Sequence, residues 1–265
     1  MVEEQPAERR PTLRAFFPHV IQPTVLEARV RAYLGSLGAL GLAIPAAPTI
    51  SALPDGDWGQ AWREHFRPLA VGRRLLVAPP WDVPRAGERT VLIIEPGRAF
   101  GTGHRGSTAG CLDLLERVLD GERFESALDL GTGSGILAVA AARLGVARIV
   151  AVDEDPDAIA AATANAESND VAARIDCRLG DAAVLDLATA PLVLANLLTA
   201  AHPKMGQRYR RLVAPGGTLV LGGILDTEAD GVRDALGSRG FAPTATCSIE
   251  GWSGLEFRAP VHDRP

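Results

Sequence analysis

The sequence predicts an α/β protein built on a mainly parallel sheet with helices on both faces, closed at one edge by an antiparallel hairpin. Three observations predict it. From about residue 100, apolar strand-like runs alternate with helical stretches, the rhythm of a parallel sheet with crossover helices. A glycine-rich turn, GTGSG, joins a buried strand to an alanine-rich helix. The last two β-like runs, within APTATCSIEGWSGLEFRAP, have no helix between them and read as a hairpin at the sheet edge.

The elements follow in chain order. The first ten residues are polar and read as a tail. An amphipathic helix is predicted from Thr24 to Leu37, and GALGLAIPAAPTI after it reads as a strand or linker. About 45 residues hold little core alone, so this part is a small α+β appendage. Two short β-like runs come next, RRLLVAP and TVLIIEPG, separated by the turn-rich PWDVPRAGER. A helix is predicted from Ser107 to Leu119, then strand 126–130 and a helix from Gly135 to Leu144. Strand 147–153 leads into a helix starting at Pro156, since proline suits a helix's first turn. Strands at 173–179, 191–197 and 217–223 complete the parallel part. These readings divide the chain into residues 1–56, a connecting region 57–100 and a main domain 101–265.

Composition narrows the function. Twenty-seven basic and 32 acidic residues give a net charge of −5, which excludes a generally basic nucleic-acid coat. Lys204 is the single lysine and arginine supplies every other basic residue, a pattern of GC-rich codon usage. Three widely spaced cysteines, Cys111, Cys177 and Cys247, form no C-x-x-C pair, so neither a disulfide framework nor a metal site is expected. The polar N-terminus lacks a signal-peptide pattern, and no run of about eighteen apolar residues occurs. A cytoplasmic protein, not membrane-bound, is the expectation.

The sharpest chemical signal is ALDLGTGSGILAVAA. Gly131, Gly133 and Gly135 allow a tight turn and a close backbone approach to a ligand at a helix N-terminus. Asp153 ends the next strand, where a carboxylate can accept both hydroxyls of an adenosine ribose. A dinucleotide site prefers G-x-G-x-x-G; here the spacing is G-x-G-x-G, with Asp129 two residues before the first glycine. An acid there suits the ammonium of a methionine moiety better than a pyrophosphate, which favours S-adenosylmethionine as cofactor. Asp181, after the third strand, is a candidate for the adenine edge, and Asn196 closes the fourth strand.

With these residues in view, the chain resembles the bacterial ribosomal protein L11 methyltransferase family. The resemblance rests on EPGRAFGTGHRGSTAGCLDLLE, then DLGTGSGILAVAAARLGVARIVAVDEDPDAI, then ANLL, and extends over about residues 57 to 258. It implies a class I methyltransferase, a Rossmann-like seven-stranded sheet with an antiparallel terminal hairpin, behind a substrate-recognition domain formed here by residues 1–56. It implies cofactor contacts at Thr108, Gly131, Asp153 and Asn196. Phe100 and His104 belong to the FGTGH loop, which in the family lies over the cofactor and the target amine. Phe100 would wall off water; His104 would either bond backbone or move a proton. The implied substrate is a large-subunit ribosomal protein, free or on the ribosome, methylated on lysine side chains and its N-terminal amine. Neither DNA nor a metal has a part in this reading.

The chain departs from the family pattern in places. Ser107-Thr108 replaces a pair of threonines, and GGIL at 222–225 replaces an SGIL-like segment. Residues 1 to about 56 are shorter than the usual recognition domain and carry no clear match. Another protein, a small molecule or RNA therefore stays open as the target. A nicotinamide-dependent oxidoreductase is a rival reading that the glycine spacing disfavours, and a non-catalytic binding module that kept the fold is a third. The arginines of QRYRRL, 207–212, read as a solvated helix face.

Overall fold

A computed structural model describes residues 22–39, 50, 66–85, 87–96 and 106–261. The chain divides into two units between Gly59 and Gln60. In the first, the described element is helix α1, Pro23–Ala39, in which Glu27 and Arg31 pair at 2.7 Å across one turn.

The second unit begins with three short strands, β1 (Leu69–Val71), β2 (Leu75–Ala78) and β3 (Thr90–Ile93). β1 and β2 are antiparallel; β2 and β3 run parallel. Strand β1 was not among the expected elements, because three residues carry too little pattern to register. Helix α2, Gly106–Gly121, anchors this sheet. Its Glu116 is buried and accepts the backbone N–H groups of Arg73 and Arg74, both at 2.9 Å. The carboxylate is thus satisfied inside the protein by the turn that joins β1 to β2.

The main sheet has seven strands in the order β6-β5-β4-β7-β8-β10-β9. They are β4 (Ser126–Leu130), β5 (Arg148–Asp153), β6 (Ile175–Leu179), β7 (Ala190–Asn196), β8 (Val213–Leu225), β9 (Ala242–Ile249) and β10 (Trp252–Arg258). The first five in that order are parallel, and β10 is antiparallel to both of its neighbours, as expected of the terminal hairpin. The intervening helices are α3 (Ile136–Arg143), α4 (Pro156–Ser168), α5 (His202–Leu212) and α6 (Ala229–Gly237). β6 starts later than expected because residues 172–174 form a 3-10 turn, and β8 starts earlier, running straight out of α5.

Both faces of the sheet are covered, so successive side chains of one strand enter different cores. Leu192 and Leu194 of β7 join Leu112, Leu115, Val139 and Ile149 on one face. Val193 and Ala195 join Tyr209, Leu221 and Phe257 on the other. The chain runs outward from β4 through β5 to β6, then returns to place β7 on β4's other side. The carboxyl ends of β4 and β7 therefore flank a crevice, the position where open α/β sheets take ligands. Among the described residues no helix is long and apolar enough to cross a membrane, and the three cysteines are free.

Candidate functional site

The crevice is lined by the segments singled out in the sequence. β4 ends in Asp129 and Leu130, and the glycine turn follows with positive φ at Gly131, Gly133 and Gly135 (73°, 55° and 80°). Gly135 also has no room for a side chain, since a Cβ there would sit 2.9 Å from the Cα of Ala162 on α4. Its absence lets the start of α3 lie against α4. The amides of Gly131 and Thr132 both bond the Val152 carbonyl on β5, at 2.8 and 2.9 Å, so the turn is pinned to the neighbouring strand.

Asp129 lies beneath the turn, 1% exposed. Its Oδ2 accepts the Thr132 hydroxyl at 2.7 Å and the Ala138 amide at 3.2 Å, whereas Oδ1 is buried without a partner. Burial pushes this carboxyl up to about 6, against the pull of those two hydrogen bonds. A buried, half-satisfied carboxylate is costly unless a cation is brought near it. The side chain is sealed from bulk solvent, so it meets a ligand as a buried negative charge and not as an exposed contact. The donor set fits a cofactor carrying an ammonium group at this turn.

Asp153 ends β5 with both carboxylate oxygens oriented by backbone. Oδ2 accepts the Gly133 amide at 2.8 Å and Oδ1 the Asp155 amide at 3.0 Å. Each oxygen keeps a second acceptor site. Across the crevice, the Asn196 Nδ2 donates to the Thr108 hydroxyl at 3.1 Å, joining two residues 88 positions apart. Leu197 lies over Gly131, occupying the space a Cβ there would need. Asp181 is exposed and its Oδ1 accepts the Ala183 amide at 2.8 Å, shaping the loop after β6. Thus Thr108, Asp129, the three glycines, Asp153 and Asn196 lie about the carboxyl ends of β4, β5 and β7, with Asp181 just beyond the end of the outer strand. Phe100 and His104 lie outside the described residues.

Several supporting residues escaped the sequence reading. His202 at the start of α5 is fully buried. Its Nε2 lies 2.8 Å from the Gly222 carbonyl, which can only accept, so that nitrogen carries the proton; Nδ1, 3.0 Å away, accepts from the Tyr209 hydroxyl. Burial lowers the imidazole's pKa and keeps it neutral. Gly222 pairs with Asn196 in the β7–β8 register, and its missing side chain leaves the space that the Cys111 thiol fills. The departure from SGIL is therefore accommodated by packing. Arg208 of α5 departs from the expected solvated face. Arg208 is half-buried and donates to the carbonyls of Ala182 and Leu185, holding the loop after β6. A lone histidine or one arginine among several carries no periodic signal that would have marked either role.

Comparison with known proteins bears on this geometry. The family model described as ribosomal protein L11 methyltransferase (PrmA) matches residues 1–260. The protein named ribosomal protein L11 methyltransferase in Trichlorobacter lovleyi is 41% identical over 253 residues, covering 89% of this chain and 79% of the relative. Its namesake in Geobacter metallireducens is 38% identical over 255 residues, covering 94% and 82%. Among solved structures, the ribosomal protein L11 methylase of Lactobacillus delbrueckii subsp. bulgaricus superposes with a TM-score of 0.67 at 23% identity, over 74% of this chain and all of that one. That likeness speaks to the fold alone. The family match also reaches through the first 56 residues, for which the motifs alone give no clear match.

Proposed function

The chain belongs to the ribosomal protein L11 methyltransferase family, and from that premise we propose that it transfers methyl groups from S-adenosylmethionine to amine nitrogens of ribosomal protein L11. The amines would be lysine side chains and the N-terminal amine. One observation carries the reading: at the crevice between β4 and β7, a buried carboxylate with a free oxygen, the ribose-type acid Asp153 and the Asn196–Thr108 pair surround one glycine turn.

S-adenosylmethionine supplies a methyl group already activated on a sulfonium. The chain's own residues bind, orient and dry the site. Gly131, Gly133 and Gly135 would let backbone approach the ligand, Asp153 would take the ribose hydroxyls, and Asp129 would attract the ammonium. Leu179 and Val184, exposed at and after the end of β6 near Asp181, offer an apolar face to adenine. The target amine must be neutral to attack, and a free lysine has pKa ~10.4. An apolar surround lowers that value. Leu198, exposed two residues beyond Asn196, suits the aliphatic stem of a lysine. The Asn196 Oδ1 then accepts an amine N–H and aims the nitrogen lone pair. Phe100 and His104 keep the roles that the family resemblance implies for them, walling off water and either bonding backbone or moving a proton. No metal or obligatory base is part of the proposal, and a cytoplasmic location follows from a ribosomal substrate.

Incubating the purified chain with L11 and S-adenosylmethionine, followed by peptide mass spectrometry, tests this. Methylated L11 amines are expected. Unmodified L11 alongside methylation of RNA or another protein would move the target elsewhere. Calorimetric binding of NAD in place of S-adenosylhomocysteine would overturn the cofactor.

The Asp129 charge predicts a pH dependence. Its pKa is raised to about 6 in the free protein, and a bound ammonium favours the ionised form, so binding below that pH must expel a proton. S-adenosylhomocysteine affinity is expected to weaken several-fold between pH 7 and pH 5. Asp129→Asn should bind more weakly at pH 7 and lose this pH dependence. Parallel titration curves for the two proteins would contradict the role.

A further inference from the structure

Two asparagines one turn apart, Asn165 within α4 and Asn169 at its C-terminal end, are nearly inaccessible, 2% and 3% exposed. Buried amides demand partners, and these find them in different places. Asn169 behaves like a piece of strand: its Oδ1 accepts the Ile93 amide at 2.8 Å and its Nδ2 donates to the Ile93 carbonyl at 2.7 Å, along the outer edge of β3. Asn165 faces two ways. Its Oδ1 accepts the Glu95 amide at 2.9 Å, and its Nδ2 donates to the Ser134 carbonyl at 2.8 Å. Ser134 lies inside the glycine turn. Glu95 opens EPGRAFGTGH, the segment that carries Phe100 and His104.

We infer that Asn165 is a positioning residue for the cofactor site: it ties the glycine turn at Ser134 to the backbone of Glu95 just beyond β3, and so holds the turn in place. An amide is suited to the task because it presents an acceptor and a donor at one end of a short side chain. Aspartate at this position would keep the acceptor for Glu95 and turn a carboxylate oxygen toward the Ser134 carbonyl. The packing that Gly135 allows against Ala162 brings α4 close enough for so short a side chain to reach. This inference rests on the reading of the turn as an S-adenosylmethionine cradle.

The test compares Asn165→Leu, Asn165→Asp and Asn169→Leu by calorimetric titration with S-adenosylhomocysteine, with thermal melts as a fold control. Asn169 shares the burial and bonds the segment just before Glu95 but makes no bond to the turn, so it reports the merely structural contribution. Both Asn165 variants are expected to weaken binding roughly tenfold, the effect of one buried hydrogen bond. Asn169→Leu should stay within about twofold of wild type, whatever it costs in melting temperature. If Asn165→Leu does not fold, the near-isosteric Asn165→Asp carries the comparison. Wild-type affinity in Asn165→Asp, or an equal loss in Asn169→Leu, overturns the positioning role. A wild-type chain that binds no S-adenosylhomocysteine overturns the cofactor reading beneath it.

Discussion

Replacing Asn196 by alanine is expected to lower kcat for L11 methylation about 100-fold, the scale on which misplacing a nucleophile acts. The Asn196 amide is oriented before any substrate arrives. Its Nδ2 is committed to the Thr108 hydroxyl at 3.1 Å, which fixes the direction of the oxygen end. Asn196 Oδ1 lies beside Gly222 and Gly223, where a Cβ would approach it to 3.0 and 3.2 Å. Two glycines thus make room for the oxygen and leave it little freedom. An attacking amine needs its N–H bonds held so that its lone pair faces the methyl group, and in the proposed reaction this oxygen would be the acceptor that does it. Single-turnover methylation at saturating S-adenosylmethionine measures the effect directly. Thr108→Val, which removes the hydroxyl that orients the amide, should give a smaller loss in the same direction, about tenfold. Wild-type turnover in Asn196→Ala would remove Asn196 from the mechanism.

Gly223→Ala is expected to destabilise the protein by about 3 kcal/mol or more and to abolish activity together with folding. Gly223 has φ 73°. A Cβ on it would fall on the backbone carbonyl of Leu197, which cannot rotate aside as a side-chain end can. Either β8 or the segment carrying Asn196 would have to move. A useful contrast is Gly231 on α6, exposed and with nothing near the position of its missing Cβ. Gly231→Ala should stabilise by about 0.5–1 kcal/mol through helix propensity alone. Urea denaturation of both variants checks the opposite signs; a Gly223→Ala protein as stable as wild type would show that the β7–β8 ends are plastic.

The second unit was legible wherever a pattern repeats over several residues. Strand 126–130 coincides with β4, since SALDL is an apolar run bounded by polar residues and glycine. Helix α4 starts at Pro156 as expected, and Asp155 caps it by accepting the Asp157 amide at 2.9 Å. The glycine turn and Asp153 come together as expected because the turn, the helix start and the next strand end are neighbours in sequence. β1 was not legible, since a three-residue strand exists only through its pairing with β2. Arg208 was misread because the composition of a helix face does not reveal a loop folded against it.

What the sequence by itself determined is the sheet, its order of alternation, the glycine turn and the acid that follows it, all written in contacts a few residues long. What only the tertiary structure decided is which distant residues act together. Asn196 meets Thr108 across 88 positions, Glu95 meets Asn165 across 70, and His202 reaches Gly222 across 20. The burial that leaves one oxygen of Asp129 without a partner is of the same kind. Strand and helix patterns arise from local periodicity, whereas a polar side chain's partner is chosen by packing. An asparagine or histidine looks the same in the sequence whether it faces water or joins two distant segments of backbone.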